Sequence, residues 1–150
     1  LTGAPDRTCM DEDCLFCQIV DGQLPSRTVY EDETTLAFLD VNPLAPGHTL
    51  VVPKNHCHRV QDCDAALAGD LFATVAEIAP AIEAAVDAPA TTIAVNNGEA
   101  AGQEVPHAHV HVVPRWDDDG AGPIHGLFAE RPELDEEDLD EIEVDVRNRL

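Results

Sequence analysis

The stretch Val105-Pro106-His107-Ala108-His109-Val110-His111-Val112-Val113 holds three of the chain's seven histidines, two residues apart. In an extended strand successive side chains alternate faces and each residue advances about 3.3 Å, so His107, His109 and His111 share one face at roughly 7 Å spacings. Ala108, Val110 and Val112 take the other face, which is wholly apolar and suits a core. The stretch therefore predicts a core strand over 105–113 that lines up three imidazoles where a ligand could sit. Ordinary exposed strand histidines would give the same pattern, and so would a metal-binding face.

Outward from this strand the chain alternates turn signals with periodic apolar segments. Thr91 to Asn96 is β-branched and reads as a strand running into the Gly-rich loop Asn97-Gly98-Glu99-Ala100-Ala101-Gly102. Between Asp64 and Val86, Leu67, Leu71, Phe72, Val75, Ile78, Ile82 and Val86 recur at three- and four-residue steps, which predicts one long helix, kinked at Pro80. Further upstream, residues 27–31 and 34–39 read as a hairpin about Asp32-Glu33, and 48–53 as a third strand after a loop rich in proline and glycine. Leu15, Phe16, Ile19 and Val20 form a short apolar turn or helix closed by Asp21-Gly22. Downstream, Asp117-Asp118-Asp119-Gly120 reads as a linker, and 134–150 as an acidic helix, docked or partner-binding. Strands around one long helix predict an α+β domain with a mostly antiparallel five-stranded sheet, plus the C-terminal helix. The expected divisions are an acidic flexible lead-in (1–13), one domain (14–116), and the linker and tail helix (117–150).

Thirty acidic residues against eight basic ones leave a formal charge of −22 in 150 residues. Such a surface repels polyanions and argues against nucleic-acid binding. Hydrophobic residues still make up 44% and arrive in periodic blocks, which excludes a disordered acidic chain. Strong acidity with Lys54 as the single lysine fits a halophile's cytoplasm, where molar salt screens self-repulsion. A polar start and no 18-residue apolar run predict a soluble, cytoplasmic protein without a membrane partner. Five cysteines, with Cys14-Leu15-Phe16-Cys17 among them, point to metal or redox chemistry more than to a disulfide framework.

The run His107-Ala108-His109-Val110-His111-Val112-Val113 resembles the signature of the histidine-triad (HIT) superfamily of nucleotide-binding proteins. The resemblance extends from Cys14 to about Trp116 and includes Phe38-Leu39-Asp40, Pro46-Gly47-His48 through Lys54, Asn96-Asn97-Gly98 and Gly102-Gln103. It is most similar in character to the prokaryotic Cys-x-x-Cys members, nucleoside phosphoramidate and dinucleoside polyphosphate hydrolases. The resemblance implies a HIT-like homodimeric fold and a double displacement on the α-phosphate of a purine nucleotide. His109 would be the nucleophile, with His111 and His48 around the phosphate. Gln103 would donate to a phosphate oxygen, and Asn96 would brace the pocket. Asp40 would take the ribose hydroxyls, which a carboxylate accepts well. Leu15, Phe16, Ile19, Phe38, Val41 and Leu50 match the apolar slot for the base, and His107 would stand beside the substrate. Glu104 departs from the small hydroxyl residue common at its position, which bears on the leaving group.

Cys14 and Cys17 have the spacing of half a zinc site, and His56 is the natural third ligand. The resemblance supplies His107 as the fourth, making a closed, structural zinc site. Unliganded thiols are the alternative, and Cys9, Cys57, Cys63 and His58 lie close enough in sequence to compete as ligands. Two other functions compete with the enzyme: a non-catalytic nucleotide-binding or signalling module on the same scaffold, and a metal-handling protein. His109, His48 and Gln103 favour the enzyme over the first, and Asn96 and Gln103, poor metal ligands, argue against the second.

Overall fold

A computed structural model of the chain describes residues 11–150, and these form two compact units, one ending at Asp119 and one spanning Gly120–Leu150. Most of the expected lead-in, Cys9 included, lies outside the described residues. The first unit runs α1 (Leu15–Val20), β1 (Thr28–Glu31), β2 (Thr35–Leu39), β3 (Thr49–Pro53), α2 (Ala65–Val86), β4 (Ala90–Ala94) and β5 (Val110–Arg115). The second carries α3 (Glu136–Asn148), whose first turn holds three acids and whose residues are none of them buried. The five strands make one antiparallel sheet in the order β1-β2-β3-β5-β4.

Local chemistry sets the ends of these elements. The Asp32 carboxylate accepts the backbone N–H groups of Thr34 and Thr35 at 2.9 and 2.8 Å, closing the β1–β2 turn. Asp64 caps α2 by accepting from the Leu67 N–H at 2.8 Å, and Asp87 ends it in the left-handed conformation. The helix is continuous through Pro80. By length and composition α2 could cross a membrane, but one face of it is buried against the sheet.

That sheet is covered on both sides, which explains the near-continuous apolar runs of β2 and β3. Ala37, Val51, Val110 and Val112 pack on Leu71, Val75, Ile78 and Ile82 of α2. The alternate residues Leu36, Phe38, Leu50 and Val52 pack on Phe16 and Cys17 of α1. Phe72, expected on the buried face of α2, is instead exposed, because it lies about 100° around the helix from Leu71. Thr74 takes an inward position and shares a 2.8 Å hydrogen bond with Thr35. Gly47 turns the chain into β3 with φ +89°, and a Cβ there would stand 3.0 Å from Val86 Cγ1 and 3.1 Å from Pro114 Cγ, so only glycine fits.

The last strand begins at Val110, not at Val105 as the alternation suggested. Pro106 has no N–H to donate, and the neighbouring N–H groups bond locally: His107 to the Val105 carbonyl at 2.8 Å and Ala108 to the Cys57 carbonyl at 2.7 Å. Ladder pairing starts where Val110 meets Val51. His107 and His109 thus sit on an irregular lead-in, and His111 alone of the three is in the strand.

Candidate active site and metal cluster

A cavity of about 370 Å³ opens between α1, the ends of β2 and β3, and the segment 96–111. One wall is apolar, from Leu15, Phe16, Ile19, Phe38, Val41 and Leu50; the polar lining comes chiefly from Asp40, Asn96, Glu104, His109 and His111. Phe16, Phe38 and Leu50 are buried parts of the core, whereas Val41, 81% exposed, stands at the rim. The Phe16 ring meets the His109 ring edge-on at 5.0 Å, so α1 positions the imidazole as well as the wall. Sequence reading missed Val105, Ser26 and Asn42, which also line the cavity. Of these, Val105 was legible, since it continues the alternation that led to the histidines.

Hydrogen bonding assigns a tautomer to each site histidine. His109 Nδ1 lies 2.7 Å from the His107 carbonyl oxygen, so Nδ1–H donates and Nε2 keeps a lone pair. The Leu44 backbone N–H donates to His48 Nδ1 at 3.0 Å, which puts the His48 proton on Nε2. That Nε2–H donates to His111 Nδ1 at 2.9 Å, so the remaining His111 proton is on Nε2. Asp40 Oδ2 stands 3.7 Å from His48 Nε2, and Asp40 Oδ1 accepts from the Asn42 N–H at 2.9 Å. Burial lowers the pKa of all three rings, that of His111 to about 4 with help from the neighbouring His109 and His48. At neutral pH the site presents one nucleophilic nitrogen and one neutral donor.

Gln103 lies behind the cavity wall. Its amide hydrogens go to the carbonyls of His58 and Val105 at 2.7 and 2.9 Å, and its oxygen accepts from the Gly98 N–H at 2.8 Å. It braces the loop that carries Asn96 and Gly102 into the site. The loop 57–63 supports it from the other side, with Asn97 bonded to Val60 N and Gln61 Oε1 at 2.9 and 2.8 Å. Cys57 and Cys63 close this loop as a disulfide, where the sequence favoured metal or redox chemistry over a disulfide framework and left both as competing metal ligands.

His107 is fully buried and does not line the cavity, although the sequence reading placed it beside the substrate as well as the metal. Its Nε2–H donates to the Pro53 carbonyl at 2.9 Å, which leaves the Nδ1 lone pair facing Cys14 Sγ at 3.3 Å and Cys17 Sγ at 3.6 Å. Cys17 Sγ is also 3.4 Å from His56 Nδ1. The four ligand atoms lie within 4.8 Å of one another. Zinc–sulfur bonds of about 2.3 Å and zinc–nitrogen bonds of about 2.0 Å imply tetrahedral edges of roughly 3.3–3.8 Å, so Cys14, Cys17, His56 and His107 fit that ion. The His107–Pro53 bond fixes the ring as an outer-shell partner does. Cys17 is disulfide-bonded in this structure, so metal loading calls for its reduced thiol.

Residues 21–118 match the model of the HIT domain. This chain belongs to the HIT family. Among HIT relatives it is 41% identical to the "Protein hit" of Bacillus subtilis over 93% of this chain and 95% of the relative. It is 35% identical to the adenosine 5′-monophosphoramidase of Saccharomyces cerevisiae, over 84% of this chain and 77% of that one. An adenylylsulfatase of Arabidopsis thaliana is 34% identical over 90% of this chain and 68% of its own length. The HIT fold is shared with a Streptococcus mutans crystal structure (TM-score 0.85, 41% identity, covering 93% of this chain and 87% of that one). A zinc-bound histidine-triad protein of Mycobacterium smegmatis also matches (TM-score 0.69, 35% identity, covering 90% and 97%). The HIT relatives named for an activity are hydrolases that act on nucleotides, which makes nucleotide hydrolysis the activity class this membership suggests.

Proposed function

We propose that the protein is a nucleotide hydrolase or transferase that works through a nucleotidyl-histidine on His109. The carrying observation is the tautomer of His109, whose Nδ1–H is held by the His107 carbonyl so that Nε2 brings a lone pair to the cavity. The purine lies on the apolar wall and Asp40 accepts the ribose hydroxyls. His109 Nε2 attacks the α-phosphorus; the bond to the leaving group breaks, and the electron pair departs with that group. Water then attacks the same phosphorus, releases the nucleotide and restores the imidazole. His111 Nε2–H donates to a phosphate oxygen as charge builds there, and His48, protonated on Nε2, keeps that proton in place. Asn96 lines the phosphate end, where Gln103 acts through the loop it braces. Substrates in keeping with the named relatives are purine nucleoside phosphoramidates and the mixed phosphoric–sulfuric anhydride of an adenylyl sulfate; dinucleoside polyphosphates offer the same attack on an α-phosphorus with a phosphate leaving group.

A zinc ion bound by Cys14, Cys17, His56 and His107 would have no open position, so it would tie α1 to the lead-in of β5 and supply no Lewis acid at the phosphate. A homodimer fits the outer edge of β4, which pairs with no further strand among the described residues.

The test is wild type against His109→Ala with adenosine 5′-phosphoramidate and diadenosine polyphosphate, following AMP release and acid-quenched, protein-bound nucleotide. Loss of the bound nucleotide and a fall in turnover of about 10³-fold or more are expected. Equal turnover by the variant would remove His109 as the nucleophile.

A further inference from the structure

The charges around the cavity point to selection among leaving groups. Among the described residues no lysine or arginine lines it, while two carboxylates do, Asp40 and Glu104. Asp40 is occupied by the Asn42 N–H and faces His48. Glu104 is exposed and has neither hydrogen bond nor ion pair among the described residues. It follows the loop where Gly102 lies against Asn96, 4.0 Å from Nδ2 to a Cβ position, and precedes His109. Arg59, the cation packed on this loop, lies over Gly98 and is not part of the lining. With the apolar wall given to the base and Asp40 to the ribose, Glu104 is the charged group left for whatever extends beyond the α-phosphate.

We infer that Glu104 is the specificity-determining residue for the leaving group, its unpaired carboxylate favouring nucleoside 5′-phosphoramidates whose amine arm carries a positive charge and disfavouring anionic arms. This rests on the nucleotidyl-histidine reading above. During transfer the Nε2–phosphorus bond forms as the phosphorus–nitrogen bond breaks, and the departing nitrogen takes the electron pair and a proton from water to leave as an amine. A second ammonium on that amine is attracted by Glu104 throughout, whereas a carboxylate or a further phosphate in the same place is repelled.

Two adenosine 5′-phosphoramidates of matched length separate charge from size, one made with 1,2-diaminoethane (ammonium arm) and one with β-alanine (carboxylate arm). At one fixed salt concentration the wild-type kcat/KM should favour the ammonium arm on the order of tenfold. Glu104→Gln should bring the two within about twofold, and Glu104→Asp should keep most of the preference, whatever either does to absolute rates. Equal preference in wild type and Glu104→Gln would overturn the inference while leaving the His109 mechanism standing. Failure of the mechanism reads differently: His109→Ala would match wild type on both compounds. Displacement binding of AMP and ADP covers the case of no turnover. Wild type should bind ADP more weakly than AMP, Glu104→Gln should narrow the gap, and an unchanged gap would again count against Glu104.

Discussion

Single hydrogen bonds decide what each histidine can do. The Leu44 N–H on His48 and the His107 carbonyl at His109 are backbone groups, so the proton positions are set by the fold and need no charged partner. The cost is sensitivity to acid. His48, His109 and His111 all have pKa values lowered by burial, His111 to about 4, while in the unfolded chain each titrates near 6.5. Between those values the unfolded state binds more protons than the folded one, so stability falls as the pH drops from about 6.5 toward 4 and is fully present above 6.5. Asp32, also lowered, is held by Thr34, Thr35 and Tyr30, and its contribution is lost only below its ordinary value of 3.8, beneath that window. Urea unfolding at pH 7.5, 6 and 5 in molar salt, where carboxylate repulsion is screened, should show the midpoint falling stepwise. A midpoint constant across that range would mean that the rings are not held neutral. Catalysis should survive somewhat below pH 6.5, because a nucleophile with a lowered pKa keeps its lone pair there.

Among the elements, α1 has the largest effect for its size. Its six residues place Phe16 against His109 and put Cys17, beside the capping Cys14, against His107, so one short helix joins the apolar cavity wall, the His109 ring and the Cys/His cluster. A helix this short does not persist alone, and the proposed metal bridge to the lead-in of β5 would be a physical reason for it to hold. Reduced protein prepared without chelator should contain one zinc per chain. Cys14→Ser should lose it and lower Tm by several degrees, with AMP release falling because Phe16 and His109 are less well placed. A metal-free protein of unchanged Tm would argue against the clamp. The strands and the long helix were legible because hydrophobic period is a local property. The start of β5 was not, since it depends on Pro106 and on the Cys57 carbonyl 51 residues away taking the Ala108 N–H. The engagement of the Gln103 amide was hidden for the same reason, because it depends on which loops meet; the Cys57–Cys63 disulfide is local to one loop, and two thiols six residues apart suit a metal as well as a bridge. Phe72 shows the converse, a residue whose spacing allowed burial and whose angle on the helix refused it.

At the scale of the whole molecule, a charge of −22 governs behaviour more than any single ion pair. Lys54–Glu31, Arg115–Asp119, Arg147–Glu143 and Arg149–Asp145 are the lysine and arginine pairs among the described residues, and the last two are exposed one-turn contacts on α3. Pairs of that kind contribute about 0.3–0.5 kcal/mol each. Most of the thirty acids therefore repel one another across the surface, a cost that the compact state bears more heavily than the unfolded chain. Screening relieves it, with a Debye length of about 10 Å at 0.1 M salt and about 3 Å at 1 M. Thermal unfolding should accordingly shift upward between 0.1 M and 1 M sodium chloride and flatten beyond, where the screening length is shorter than the spacing of surface charges. Salt acting by exclusion from the surface would instead raise Tm in proportion to concentration, and sulfate would far exceed chloride at equal ionic strength. A saturating curve common to both salts identifies charge repulsion as the quantity relieved. A Tm indifferent to salt would show that the acidic surface costs the fold little, and the inference of a high-salt habitat would go with it.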